Sequence, residues 1–116
     1  MTVTIYHNPR CSKSRQTLKL ITEQNIEPEI IEYLKTPPSA AEIRNLLKLL
    51  KLSPREIMRK GEAVYKSMDL DNPEMGDDNL INAMVANPIL IERPIVICGN
   101  QAVIGRPPEK VINIIS

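Results

Sequence analysis

Residues 7–15 read His-Asn-Pro-Arg-Cys-Ser-Lys-Ser-Arg. Cys11 stands where a short apolar stretch ends and a helical pattern begins. A thiol at a helix start faces the positive end of the helix dipole and backbone N–H groups that have no intrahelical partner. Arg10, Lys13 and Arg15 add positive charge, and no acidic residue occurs between Met1 and Thr22. These features favour the thiolate, the nucleophilic form of cysteine. The same N–H groups suit an anion. A buried structural cysteine is the competing reading, and the polar, basic neighbours on both sides weigh against it. His7 precedes Cys11 by four residues. It reads either as a general base or charge partner for the thiol, or as a strand-end histidine with a structural hydrogen bond.

A dithiol redox motif would place a second cysteine at position 14, where this chain has Ser14. The second thiol, Cys98, ends the apolar run Ile95-Val96-Ile97-Cys98 and reads as core, with a partner thiol as the alternative. A lone nucleophilic thiol must be turned over by an external one, such as glutathione or a redoxin. Two Arg-Pro pairs, Arg93-Pro94 and Arg106-Pro107, follow apolar runs. An arginine there can present a planar fork to an oxyanion; a surface strand terminus is the plainer alternative. Arg59, within Met58-Arg59-Lys60, carries less by itself.

The elements that must position these residues follow from pattern. Val3, Ile5 and Tyr6 form a strand, stopped by Asn8-Pro9. Residues 12–24 read as a helix with Leu18 and Ile21 on one face. Ile30 and Ile31, ahead of Tyr33 and Leu34, form a second strand closed by Pro37-Pro38. This β-α-β unit predicts a parallel strand pair with a right-handed crossover. Ser39 and Glu42 form a capping box ahead of Ile43, Leu46, Leu47 and Leu50, an i, i+3, i+4, i+7 stripe. Ser53-Pro54 with Glu56 repeats the start signal. After an acidic loop, Asp77 or Asp78 is expected to cap a helix bearing Leu80, Ile81, Met84 and Val85. Gly99-Asn100 joins two strands, residues 95–98 and 102–104, as a hairpin. Pro107-Pro108 opens a last helix with Val111, Ile112 and Ile115. The order β-α-β, helices, β-β-α predicts an α/β fold: a thioredoxin-like four-stranded mixed sheet (βαβ … ββα) with a helical insertion over about residues 39–87 of a single domain, 1–116.

Composition narrows the function classes. Apolar residues make up 42% of the 116, enough for a core. Fifteen basic against fourteen acidic residues give a net charge of +1, which removes the electrostatic case for a nucleic-acid binder. With no Phe, no Trp and three Tyr, there is little platform for base stacking. No apolar run approaches a membrane span, and the start of the chain lacks the pattern of a signal peptide. Two cysteines do not make a disulfide scaffold. A soluble cytoplasmic protein with reduced thiols is expected, without nucleic-acid or membrane partners and with no bound metal or cofactor.

Tyr6-His7-Asn8-Pro9 leading to Cys11, then Ser14-Arg15, resembles the start of the glutaredoxin-coupled ArsC-type arsenate reductases. The similarity continues through Tyr33-Leu34, Thr36-Pro37-Pro38, Met58-Arg59-Lys60, Pro88-Ile89-Leu90-Ile91, Arg93-Pro94-Ile95-Val96 and Arg106-Pro107. The resemblance implies a thioredoxin-like fold with a helical insertion. It implies attack of the Cys11 thiolate on arsenate, with His7 as the active-site histidine. It places the oxyanion on Arg59, Arg93 and Arg106, and gives Asn8, Ser14 and Arg15 a supporting role in the loop. Glutathione is the implied co-substrate, glutaredoxin the implied reducing partner and arsenite the product. A cis peptide before Pro94 is also implied. The segment around the cysteine departs from the family pattern: Arg10 replaces a small residue, and Ser12-Lys13 replaces a Gly-containing segment. The related Spx-type regulators share the fold and bind RNA polymerase, so a regulatory or protein-binding module without reductase activity is the alternative. Those regulators commonly carry Cys-x-x-Cys, which Ser14 breaks.

Overall fold

The computed structural model describes residues 2–115. They divide into two compact units, Met1–Thr36 with Arg93–Ser116, and Pro37–Glu92.

The first unit holds β1 (Val3–Tyr6), α1 (Ser12–Glu23), β2 (Glu29–Ile31), β3 (Ile95–Cys98), β4 (Gln101–Ile104) and α5 (Ile112–Ile115), the last entered through a 3-10 turn at Pro108–Val111. The strands form a four-stranded mixed sheet in the order β2-β1-β3-β4. β1 pairs parallel to β2 and antiparallel to β3, and β3 pairs antiparallel to β4. This is the thioredoxin-like arrangement expected from the βαβ and ββα halves. Alternation along the strands sends Val3, Ile5, Val96 and Cys98 into a core with Ile21 and Val111. The β3–β4 turn is tight because Gly99 adopts φ 63°, a backbone state that glycine enters without steric cost.

Register decides what meets at each end of the sheet. Tyr6 lies opposite Ile31 and Ile95, and Ile95 lies opposite Ile104. The chain therefore leaves β1 toward Cys11, leaves β2 toward Glu32, enters β3 from Arg93 and leaves β4 toward Arg106, all at one end. Cys98 pairs with Val3 at the other end.

β2 is shorter than the pattern suggested. Tyr33 and Leu34 lie in a turn closed by the Lys35 and Thr36 N–H groups, each donating to the Glu32 carbonyl at 2.9 Å.

The second unit holds α2 (Ala40–Leu50), α3 (Ala63–Ser67) and α4 (Asp77–Ala86), with 3-10 turns at Pro54–Ile57 and Pro88–Leu90. Ser39 forms the expected capping box with Glu42. The second start signal, Ser53 with Glu56, also forms a box, but it opens a single 3-10 turn. Met58 is drawn into an antiparallel bridge with Ile91, flanked by Glu92 N–H to Ile57 O and Arg59 N–H to Leu90 O, both 2.7 Å, and this extended pairing ends the helical path. Gly76, not an aspartate, occupies the N-cap of α4; Asp77 and Asp78 fall in its first turn, where carboxylates favour the helix dipole. Ile43, Leu46, Leu80, Met84 and Leu90 are buried. Among the described residues, no helix is long and apolar enough to cross a membrane.

Candidate active site

Cys11 is the N-cap of α1, in an extended conformation that turns the chain from loop into helix. The loop that carries it is tied down by its own side chains. The Cys11 N–H donates to the Asn8 carbonyl at 3.0 Å, closing a turn over Pro9 and Arg10. Asn8 Oδ1 accepts from the Arg10 N–H at 3.0 Å. Arg15 Nη1 reaches back to the Pro9 carbonyl at 2.9 Å. Ser14, fully buried, accepts from the Asn8 N–H at 3.0 Å and lies 2.6 Å from His7 Nδ1. Asn8, Ser14 and Arg15 are thus joined to the Cys11 loop by hydrogen bonds within it.

The Cys11 thiol is 9% exposed. Burial opposes its ionisation and is the largest single influence. The Ser14 N–H, the guanidinium of Arg93 by hydrogen bond and charge, and the Lys13 N–H together outweigh it, so the thiol is held below its ordinary value. Two of these donors are backbone groups at the start of α1, and their identity as residues carries no sequence signal. No acid lies in the first turn.

Arg106 completes the arrangement. Its Nε donates to the Arg93 carbonyl at 2.8 Å, and its Nη2 stands 3.8 Å from Cys11 Sγ. Both Arg-Pro bonds, Arg93-Pro94 and Arg106-Pro107, are cis. Gly105 sits between them in a space with no room for a side chain: a Cβ there would lie 2.7 Å from Thr17 Oγ1 and 2.9 Å from Pro94 Cγ. Its N–H donates to the Pro94 carbonyl at 2.9 Å. Gly105 positions the residue beside it, and the Gly-Arg-Pro order is the signal that could have marked it.

His7 is buried, and its bonds tie it into the scaffold: its N–H donates to the Ile31 carbonyl at 2.8 Å, and its ring contacts Ser14. Burial lowers its pKa most, partly offset by the Glu32 charge and reinforced by Arg15. The ring is tied to the loop through Ser14. Arg59 belongs to the second unit. Its Nε contacts Glu62 Oε2 at 3.2 Å and its Nη1 contacts Glu92 Oε1 at 3.0 Å. Glu62 lies three positions after Arg59, a spacing that marks a local ion pair, whereas Glu92 lies 33 positions away with no such signal.

Cys98 is 5% exposed and sits at the far end of β3. Three residue steps of strand separate it from Ile95, about 10 Å at the usual rise. Among the described residues, no thiol near Cys11 can form a disulfide with it.

A thiol held toward its thiolate form with guanidinium groups at the sulfur is an arrangement suited to attack on an oxyanion. A family model described as the ArsC family matches residues 6–114. The chain is 54% identical over 114 residues to the Escherichia coli K12 protein named "Uncharacterized protein YfgD", covering 97% of this chain and 96% of that one. It is 46% identical over 116 residues to the arsenate reductase of Haemophilus influenzae, covering 99% of this chain and all of that one. A solved structure titled arsenate reductase from Vibrio cholerae superposes with a TM-score of 0.96 at 50% identity, covering 98% of both chains. With the match running nearly end to end and through the Cys11 loop and both Arg-Pro turns, the chain belongs to the ArsC family.

Proposed function

We propose that this protein reduces arsenate to arsenite, with Cys11 as the nucleophile and glutathione followed by glutaredoxin as the source of electrons. The observation that carries the reading is the Cys11 sulfur, held toward its thiolate form and 3.8 Å from Arg106 Nη2. The relatives named arsenate reductase support it. A regulatory binding module would need neither the activated thiol nor the guanidinium beside it.

The thiolate attacks arsenic and displaces one oxygen, which leaves as water after protonation. Arg93 and Arg106 offset the negative charge on the remaining oxygens. Glutathione thiolate then attacks Cys11 Sγ. An S–S bond forms, the S–As bond breaks, and its electron pair stays on arsenic, which passes from As(V) to As(III). Two thiols have become one disulfide and arsenate has taken two electrons. Glutaredoxin exchanges with the mixed disulfide and restores Cys11. Cys98, at the other end of the sheet, takes no part. The reading assigns no step to Arg59, whose guanidinium is engaged by Glu62 and Glu92. A thiol regenerated by glutathione works in a reducing compartment such as the cytoplasm.

The test is arsenate-dependent NADPH oxidation with glutathione, glutaredoxin and glutathione reductase. Cys11→Ser should abolish it, and Cys98→Ser should retain it. Loss of turnover in a folded Cys98→Ser protein would show that an internal disulfide carries the electrons. A single round of arsenite formation without added thiol, limited to one arsenite per protein, would do the same.

A further inference from the structure

A cavity of about 190 Å³ opens beside the Cys11 loop, on the flank away from Arg93 and Arg106. Pro9 and Leu34 give it apolar walls, His7 contributes one side, and Arg10, Glu32 and Lys35 supply its charges. Sheet order fixes its place. Arg93 and Arg106 adjoin β3 and β4 on one side of β1, whereas Glu32, Leu34 and Lys35 follow β2 on the other. Leu34 is 41% exposed, and the Glu32–Lys35 ion pair, at 3.5 Å, is open to water. Such a pair contributes little to stability and exchanges partners easily.

We propose that this cavity is the seat of glutathione. The inference rests on the arsenate-reductase reading and names where its thiol co-substrate binds. Displacement at Cys11 Sγ requires the incoming sulfur to approach opposite the departing arsenic. Arsenate held on the Arg93 and Arg106 side leaves the β2 side of the loop for the attacking thiol. The charges match in number and sign: glutathione carries two carboxylates and one ammonium, and the cavity offers Arg10 and Lys35 for the first and Glu32 for the second. The Arg10 backbone is fixed by its N–H bond to Asn8 Oδ1, within the turn that delivers Cys11, and its exposed side chain extends from that fixed point. The volume falls below the roughly 300 Å³ at which ligand pockets usually begin, so it takes one arm of the tripeptide while the cysteinyl arm reaches around the turn. Pro9 and Leu34 receive the methylenes of the γ-glutamyl arm.

Two measurements decide the matter. Cys11→Ser protein, which cannot form a disulfide at position 11, is titrated with S-methylglutathione and followed by amide NMR. Saturable shifts are expected at Arg10, Glu32, Leu34 and Lys35, and they should weaken in Leu34→Asp and Lys35→Glu. In the coupled assay the Leu34→Asp/Lys35→Glu double variant should raise the KM for glutathione about tenfold, as two altered contacts of modest strength predict. Its KM for arsenate should stay within about twofold. An unchanged KM for glutathione, or shifts confined to other surfaces, overturns the proposal. A rise in KM for glutaredoxin alone also overturns it, by assigning the surface to the protein partner. If arsenate is not reduced under any condition, the functional reading fails, and the titration alone still decides whether the cavity takes the tripeptide.

Discussion

Ser14→Ala removes one oxygen that two other groups depend on. The hydroxyl is fully buried, accepts from the Asn8 N–H at 3.0 Å and contacts His7 Nδ1 at 2.6 Å. Its loss leaves a backbone donor and an imidazole nitrogen without their partner. Stranding a buried polar group costs about 1–3 kcal/mol. Because the two groups share one oxygen, their costs do not simply add, and about 2–4 kcal/mol is expected in total. For a domain of this size that is a fall in Tm of roughly 8–16 °C. Thiol activation should respond differently. Ser14 acts on Cys11 through its backbone N–H, which alanine retains. Urea unfolding and the pH profile of iodoacetamide alkylation, run on the same protein, separate the two effects. The expected result is a much less stable protein whose Cys11 still titrates below a free thiol. Wild-type stability in Ser14→Ala would refute the hydrogen-bond account of the loop. A thiol restored to ordinary reactivity in a folded variant would show that the hydroxyl, not the N–H, activates it.

Three further outcomes follow from the site. Cys11 should alkylate with a midpoint below the free-thiol value of about 8.5, and Arg93→Gln should move that midpoint upward, since hydrogen bond and charge both come from its guanidinium. His7, lowered chiefly by burial, binds a proton more readily in the unfolded chain, so its contribution to stability is present above about pH 6.5 and is lost as pH falls through the folded value. Unfolding free energies at pH 7.5 and 5.5 should therefore fall less on acidification in His7→Gln than in the wild type; equal slopes would show that His7 does not titrate in this window. Gly105→Ala forces contacts at 2.7 and 2.9 Å with Thr17 and Pro94 and should cost about 1–3 kcal/mol, read by urea unfolding; a neutral result would mean that the packing around Arg106 is loose.

What the sequence made legible was local. The capping box at Ser39 and Glu42, the Gly99-Asn100 hairpin and the thiol at the start of a helix each depend on residues within a few positions of one another, where propensity and spacing act directly. Failures of boundary arose where a distant strand or bridge won over local pattern. The start signal at Ser53 is genuine, yet the pairing of Met58 with Ile91 turns the chain away after one 3-10 turn. Tyr33 and Leu34 suit a strand, but the turn that closes on the Glu32 carbonyl removes them from it.

The site depends on both kinds of information. Cys11 and Arg106 lie 95 positions apart, and only the register of β1 with β3 and of β3 with β4 brings their loops to one end of the sheet. Arg93 and Arg106 could be singled out from their Arg-Pro context, but the bond from Arg106 Nε to the Arg93 carbonyl could not. Arg59 shows the converse: its pairing with Glu92, 33 positions away, gives its guanidinium a carboxylate partner that no spacing announces. Ser14 joins the two levels. At the position where a dithiol protein carries its second sulfur, this chain places a hydroxyl that orders the loop through His7 and Asn8. The loop that carries Cys11 is thereby held in place by a hydroxyl rather than a second thiol. On the proposed mechanism, a thiol beside two guanidinium groups and without a second cysteine in its own loop is turned over by a thiol from solution, and the flank of the loop nearest β2 is the approach assigned to it, away from the side that carries Arg93 and Arg106.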